Sequence, residues 1–182
     1  GLSANVYEAY ASTDVMGYAS VTMGRQALDF GSGAIMSSNQ WGTRSTWDGF
    51  NFGLDLDMAD ITLGYGKVSN SVYDGVTAVA ADSMGLGGVD AVAAGNTNMW
   101  LNAAKGDGDW TANLLYMSSS VGAGDDVTAM GLDLAYAMMG GDLNLDVSYN
   151  TTSDGTVDGD MTSIGATYNV NESMSISGSQ TT

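Results

Sequence analysis

The chain has 182 residues, of which 44% are hydrophobic, and it carries 21 acidic against 4 basic side chains, a formal net charge of −17. The absence of Cys, His and Pro excludes disulfides, thiolate nucleophiles, soft metal sites and the usual histidine bases and zinc ligands. The scarcity of basic residues excludes a nucleic-acid partner, because Lys and Arg must neutralise the phosphates. The hydrophobic content predicts one folded domain over residues 1–182, and no apolar run reaches the roughly 18–20 residues of a membrane-spanning helix.

Apolar and polar residues alternate with period two along much of the chain, which is typical of strands with one apolar and one polar face. In chain order, strands are predicted near residues 5–12, 18–25, 50–57, 61–66, 97–104, 110–117, 130–138, 143–150, 164–169 and 173–177. The clearest is 143–150, where every odd position is apolar and every even position is polar. The pattern therefore predicts about ten strands and almost no helix.

The predicted connections alternate in length. Short turns are expected at residues 57–60, 105–109, 139–142 and 169–172, and longer Gly/Ser/Asp-rich segments at 69–95, 118–126 and 151–160. Short turns on one side and long loops on the other are typical of outer-membrane barrels. We therefore predict an all-β fold, an antiparallel up-and-down transmembrane β-barrel.

The two predicted faces differ in composition. The apolar face carries Leu, Ile, Val, Met and Phe, with aromatic residues near strand ends. These aromatics are expected at a membrane interface, the alternative being an ordinary half-buried sheet in which Tyr is a good strand former. They are Tyr65, Trp110, Tyr116, Tyr136, Tyr149 and Tyr168. The polar face of Gly, Ser, Thr, Asn and Asp suits a water-filled lumen, or else the outside of an acidic, salt-adapted soluble protein.

A local pattern over residues 16–70 resembles bacterial porins. Residues 23–30 read MGRQALDF and are followed by Gly-Ser-Gly; Arg44 and the triplet Trp47-Asp48-Gly49 then precede the strand at 50–56. This is similar to the alginate-export-like porin group of Gram-negative bacteria, in which a Gly-Arg-Gln strand end leads through a loop to an Arg-containing segment and a Phe/Trp-Asp-Gly strand start.

The resemblance implies an outer-membrane location, contact with membrane lipid, and passive diffusion of small hydrophilic solutes through a barrel of about 16–18 strands. This chain supplies about ten strands, and it shows neither a leader at its start nor a terminal aromatic residue. We therefore interpret it either as a barrel that closes by itself or as a piece of a longer one.

Two sets of charged residues are candidate pore-lining groups. Arg25 and Arg44 are predicted at a constriction, the alternative being a structural ion pair with Asp29 or Asp48. Four carboxylates at polar positions of the alternating pattern are expected to line the lumen, or else only to solubilise an outer surface. They are Asp55, Asp57, Asp133 and Asp146. Such a lumen prefers cations, so transport of alginate, a polyanion, is not expected.

No catalytic residue and no cofactor is predicted, because no acid–base pair with a recognisable spacing occurs. The Asp/Gly-rich stretches 106–109 and 154–160 lack the spaced ligands of a calcium loop and are interpreted as turns, with Ca²⁺ as the alternative. Segment 69–95 either folds into the lumen or contacts a neighbouring subunit. The second functional interpretation is an extracellular, acidic, β-rich structural or adhesive surface or filament protein that assembles with its own copies.

Overall fold

The computed structural model describes residues 6–38, 46–69, 97–120, 126–171 and 174–182, and within these ranges the chain forms ten β-strands. The strands are β1 (Ala9–Val15), β2 (Ala19–Gln26), β3 (Thr46–Leu56), β4 (Ala59–Ser69), β5 (Thr97–Asp107), β6 (Trp110–Ser120), β7 (Val127–Met138), β8 (Leu143–Ser153), β9 (Asp158–Asn171) and β10 (Met174–Thr181). The helical content of the described residues is a single 3₁₀ turn at Met139–Gly141. The all-β prediction is confirmed, with one strand for each alternating segment.

Among the described residues, no helix combines the length and the apolar character needed to cross a membrane.

The ten strands form a single sheet in the order β1 to β10, and each strand runs antiparallel to the next. The predicted up-and-down order is therefore confirmed. In the described part of the chain, no pairing joins β1 to β10, so the sheet is open with these two strands at its edges.

The connections differ in length at the two ends of the sheet. At one end, here called the turn end, the strands are joined by short connections such as 16–18, 57–58, 108–109 and 139–142. At the other, the loop end, β3 begins 20 residues after β2 ends, at Thr46 after Gln26, and β5 begins 28 residues after β4 ends, at Thr97 after Ser69.

The prediction of a long loop at 151–160 is wrong, because residues 154–157 alone join β8 to β9. Thr151, Thr152 and Ser153 continue the β8 ladder opposite β7 and β9 instead of forming a loop. The predictions for segment 69–95 lie outside the described residues from position 70 onward.

The alternation places the apolar side chains on one side of the sheet, here called the apolar face. Its large members include Met23, Phe50, Leu63, Tyr65, Met99, Leu101, Trp110, Leu114, Tyr116, Met130, Leu132, Leu134, Tyr136, Leu145, Val147, Tyr149, Ile164, Tyr168 and Ile176. The register continues this surface from strand to strand: Leu63 faces Leu101, Leu101 faces Tyr116, and Tyr116 faces Met130. The described residues leave it uncovered, with Leu114 49% and Leu132 42% exposed.

The opposite side of the sheet, here called the polar face, carries the buried residues. Asn98 and Asn150 are 0% and 1% exposed, although both are polar. Residues 27–38, here called the covering segment, leave β2 at the loop end and pack onto this face. Its Leu28, Ile35 and Met36 join a buried apolar cluster with strand residues from β3 to β9. The strand members of this cluster are Trp47, Trp100, Leu115, Met117, Val127, Ala129 and Met161.

A glycine in β4 allows the aromatic part of this cluster to form. Trp47 and Trp100 lie two strands apart, and their rings meet edge to face with centroids 5.4 Å apart. The Trp100 indole lies over Gly64, where any Cβ would overlap its ring atoms. Trp100 Nε1 donates a hydrogen bond of 2.8 Å to Asn51 Oδ1, so the buried indole is satisfied.

Candidate functional site

The covering segment is a compact loop held by its own hydrogen bonds. The Ser38 hydroxyl accepts from the Leu28 N–H at 2.7 Å and donates to the Leu28 carbonyl at 3.1 Å. The Asp29 carboxylate accepts from the Ser37 hydroxyl and the Ser38 N–H, and the Phe30 N–H donates to the Met36 carbonyl. With its two ends tied together, the segment behaves as one packed unit.

The tip of this segment, formed by Gly31 and Ser32, is bound to a carboxylate on β7. The Ser32 N–H donates to Asp133 Oδ2 at 3.0 Å, and the Ser148 hydroxyl donates to Asp133 Oδ1 at 2.6 Å. Since Ser148 has one hydroxyl proton, it acts as acceptor towards Asn150 Nδ2 at 2.8 Å and towards the Ser32 hydroxyl at 3.2 Å. Strands β7 and β8 therefore fix the position of the tip.

Gly31 permits this close approach. It has a φ of +57°, and a Cβ built on it would overlap the Asp133 carboxylate and come within 2.8 Å of Asn113 Oδ1. Both the backbone conformation and the lack of space favour glycine at this position. A side chain here would push the tip away from Asp133.

A pocket of about 220 Å³ lies beside the tip, on the part of the polar face that the covering segment leaves open. Two carboxylates face it, from Asp133 on β7 and Asp146 on β8, together with the polar side chains of Ser32, Asn113 and Ser148. Asp133 lies opposite Ser148, and Asp146 lies opposite Ala135, so the two carboxylates are diagonal neighbours on adjacent strands. The pocket therefore combines negative charge with hydrogen-bonding groups.

A second acidic groove, of about 400 Å³, lies at the turn end of the first four strands. It is lined by Asp14 on β1, Asp55 on β3 and Asp60 on β4. Asp55 and Asp60 are register partners on the polar face, and the Asp55 N–H donates to the Tyr18 carbonyl at 3.1 Å. The groove and the pocket at the tip are thus each lined by carboxylates.

The predicted charged residues do not all come together. Asp133 and Asp146 share the pocket at the tip, whereas Asp55 lies in the groove at the turn end and Asp57 lies in the β3–β4 turn. Arg25 lies on the apolar face, where Nε and Nη2 bind the two carboxylate oxygens of Asp48 at 2.8 and 2.9 Å. This geometry is the structural ion pair that formed the alternative interpretation of Arg25. Arg44 lies outside the described residues.

The six predicted interface aromatics all lie exposed on the apolar face. Trp110 and Tyr136 are register partners near the turn end, and Tyr168 faces Leu143 at the same end. Tyr65, Tyr116 and Tyr149 lie nearer the loop end. Trp110 and Tyr116 are six positions apart on one strand, about 20 Å at the usual rise per residue.

The sequence interpretation missed the covering segment and the residues that hold its tip. Ser32, Asn113 and Ser148 are small polar residues of a kind found on every strand, so nothing in the sequence distinguishes them. The apolar residues Ile35 and Met36 in a Gly/Ser-rich connection were the available signal, because a solvent-exposed loop has no need of them.

The β8–β9 connection, one of the stretches considered for calcium, is an Asp-initiated turn. The Asp154 carboxylate accepts hydrogen bonds from the N–H groups of Val157 at 2.6 Å and Thr156 at 2.8 Å. These two bonds, the one from Val157 first, lower the pKa of Asp154 below its ordinary value of 3.8. The carboxylate thus caps the turn through backbone groups.

Comparison with protein families, with curated proteins and with solved structures finds no match for this chain.

Proposed function

We propose that this chain forms all or part of an outer-membrane porin that passes small hydrophilic solutes and prefers cations. The observation that carries the proposal is the exposed apolar face, which extends from β2 to β10. Soluble monomers rarely expose a contiguous apolar surface larger than a few hundred Å². In a membrane this apolar surface would contact the hydrocarbon chains of the lipids and would not be exposed to water.

Strand length supports a membrane-spanning role. β3, β4, β5, β6 and β8 each contain 11 residues, and a tilted strand needs about 9–11 residues to cross the hydrocarbon layer. Trp110, Tyr136 and Tyr168 near the turn end suit an interfacial girdle of such a barrel. Tyr65, Tyr116 and Tyr149 lie just beyond the strand midpoints towards the loop end, and polar side chains follow them on the same face.

Strand direction supports closure of the sheet into a barrel. With ten strands in an up-and-down order, β1 and β10 run antiparallel to each other. They are therefore suitably oriented to pair directly, or through an even number of additional strands. An unpaired strand edge in the hydrocarbon layer would cost several kcal/mol for each unsatisfied backbone group, so membrane insertion strongly favours closure.

In such a barrel the polar face lines the passage and the covering segment narrows it. The segment fills the part of the polar face near the loop end, and the acidic groove and the pocket at the tip lie along the part that remains open. Carboxylates along a water-filled passage concentrate cations and repel anions. In the described residues, the polar face of the strands carries Asp14, Asp55, Asp60, Asp133 and Asp146 and no basic side chain.

The alternative of a water-soluble surface or filament protein is less consistent with the exposed face. Leu114, Leu132 and Ile164 would all face water, and each forgoes roughly half of the about 1.5–3 kcal/mol that full burial of such a side chain provides. A filament would have to cover this whole surface with neighbouring copies. Solubility without detergent separates the two functions, because only the surface protein is expected to remain soluble.

The decisive test is single-channel recording in a planar bilayer of neutral lipid under a salt gradient. We expect discrete conductance steps and a reversal potential shifted towards the equilibrium potential of the cation. Replacing both pocket carboxylates, Asp133→Asn with Asp146→Asn, is expected to shift that potential towards the unselective value, because it removes two of the charges facing the passage. The same double exchange at the exposed turn residues Asp57 and Asp109 is the control, with little expected change.

Two outcomes would count against the proposal. The absence of conductance, combined with solubility in detergent-free buffer, would refute the channel. A conducting channel whose reversal potential is the same with and without the pocket carboxylates would refute their role in selectivity.

A further inference from the structure

The described basic residues occupy one side of the sheet. The strand register places them on the apolar face, beside residues such as Met23, Tyr65 and Leu101; they are Arg25, Lys67 and Lys105. They lie at its rims, Arg25 and Lys67 at the loop end and Lys105 at the turn end. The chain has a net charge of −17, and within its described ranges positive charge therefore lies only beside the surface proposed to meet lipid.

Arg25, Asp48 and Lys67 form a compact charged patch, here called the rim patch. Asp48 lies on β3 between the other two, opposite Arg25 on β2 and opposite Lys67 on β4. The bidentate ion pair of Arg25 with Asp48 and its bond from Nη1 to the Val6 carbonyl hold the guanidinium in place. Lys67 is exposed, and among the described residues its ammonium group has no ion-pair partner.

The surroundings of the rim patch match a membrane interface. Phe50 and Tyr65 stack below it with ring centroids 5.9 Å apart, at the edge of the apolar surface. At the same level, β5 to β8 carry hydroxyl side chains on this face, including the half-buried Thr97, Ser118 and Thr128. The patch thus lies where apolar side chains give way to polar ones, which is the depth of the lipid headgroups.

We propose that the rim patch binds the phosphate of an anionic membrane lipid, an inference that rests on the proposed membrane location. The patch carries two cations and one carboxylate, so it has a net charge of +1 and Lys67 is the group left to bind an anion. Arg25 supplies the remaining N–H donors of its guanidinium, which suit phosphate oxygens. The acyl chains of the lipid would lie along Phe50 and Tyr65.

The rim at the turn end does not offer an equivalent site. Lys105 donates to the Asp57 carbonyl at 2.6 Å, and Asp107 lies two positions further along the same face of β5. The local charge there is balanced, so Lys105 is the matched control for Lys67. On β9, Asp158 and Asp160 make the rim of the apolar face at the loop end acidic, and a phosphate would be repelled there.

The test is a titration of the full chain in neutral-detergent micelles with short-chain phosphatidylglycerol, compared with short-chain phosphatidylcholine. Thermal unfolding reports binding, because a ligand that binds the folded state raises Tm. We expect phosphatidylglycerol to raise Tm more than phosphatidylcholine, and Lys67→Gln to weaken its apparent affinity about fivefold. Lys67→Arg should preserve the affinity, and Lys105→Gln should leave it unchanged.

Three results would overturn the inference: equal stabilisation by the two lipids, an unchanged affinity in Lys67→Gln, or an equal effect of inorganic phosphate, which would indicate a site for free anions. Conductance in neutral bilayers separates this failure from failure of the proposed function. A protein that conducts normally without preferring phosphatidylglycerol would lack only the lipid site, whereas a protein that prefers phosphatidylglycerol without conducting would lack only the channel.

Discussion

Leu132→Arg is expected to prevent stable insertion of the protein into a bilayer. Leu132 lies in the middle of β7 and is 42% exposed on the apolar face, with Leu114 and Tyr149 as its register partners. An arginine at the bilayer midplane of a barrel costs about 2–4 kcal/mol. Flotation of refolded protein with vesicles measures the inserted fraction, which we expect to fall severalfold.

Thr111→Arg is the matched control for this variant. Thr111 is exposed on the polar face of β6, opposite Ala135 on β7, so the added charge would face the passage and not lipid. This variant should insert normally and show a weaker preference for cations. Equal insertion of the Leu132 variant and the wild type would contradict the assignment of the apolar face to lipid.

The second large effect, an increase in the unitary conductance, is expected from a substitution in the covering segment. Met36→Asn places an amide where the wild-type side chain is 0% exposed within the apolar cluster. The loss of packing alone costs about 2–5 kcal/mol, and an unsatisfied buried amide adds about 1–3 kcal/mol. Since this change leaves the sheet intact, the segment is expected to detach from the polar face, and the unitary conductance should increase.

Met36→Leu is the control, because a volume-conserving exchange usually costs less than about 1.5 kcal/mol. Its conductance should match that of the wild type. Circular dichroism should show that the strands persist in both variants. An unchanged conductance in Met36→Asn, with the segment shown to be detached by its susceptibility to protease, would mean that the segment does not narrow the passage.

The sequence predicted the strands well because the residues of the two faces differ sharply in polarity. In β8, Leu145, Val147 and Tyr149 alternate with Asp146 and Ser148 without exception, and the structure places the two sets on opposite faces. Turn positions followed from Gly and Asp, as at Gly108 with its φ of +52°. The β8–β9 loop was predicted too long because Thr and Ser suit both loops and strands.

The site was harder to predict, since it depends on contacts between residues far apart in the sequence. Ser32 reaches Asp133 across 101 positions and Ser148 across 116. Arg25 was interpreted from its charge, although its position continues the apolar series of Val21 and Met23. The register with Asp48 is a property of the assembled sheet and places Arg25 on the apolar face.

Site-specific labelling along β7 can show whether the apolar face meets lipid while the polar face meets water. The natural chain contains no Cys, so single-cysteine variants carry no background. Fluorophores at Leu132→Cys and Leu134→Cys should be quenched by lipid-borne nitroxide in proteoliposomes, and one at Ala135→Cys by acrylamide, an uncharged aqueous quencher that the carboxylates do not repel. Quenching by acrylamide at all three positions, with no effect of the lipid quencher, would show that the apolar face meets water.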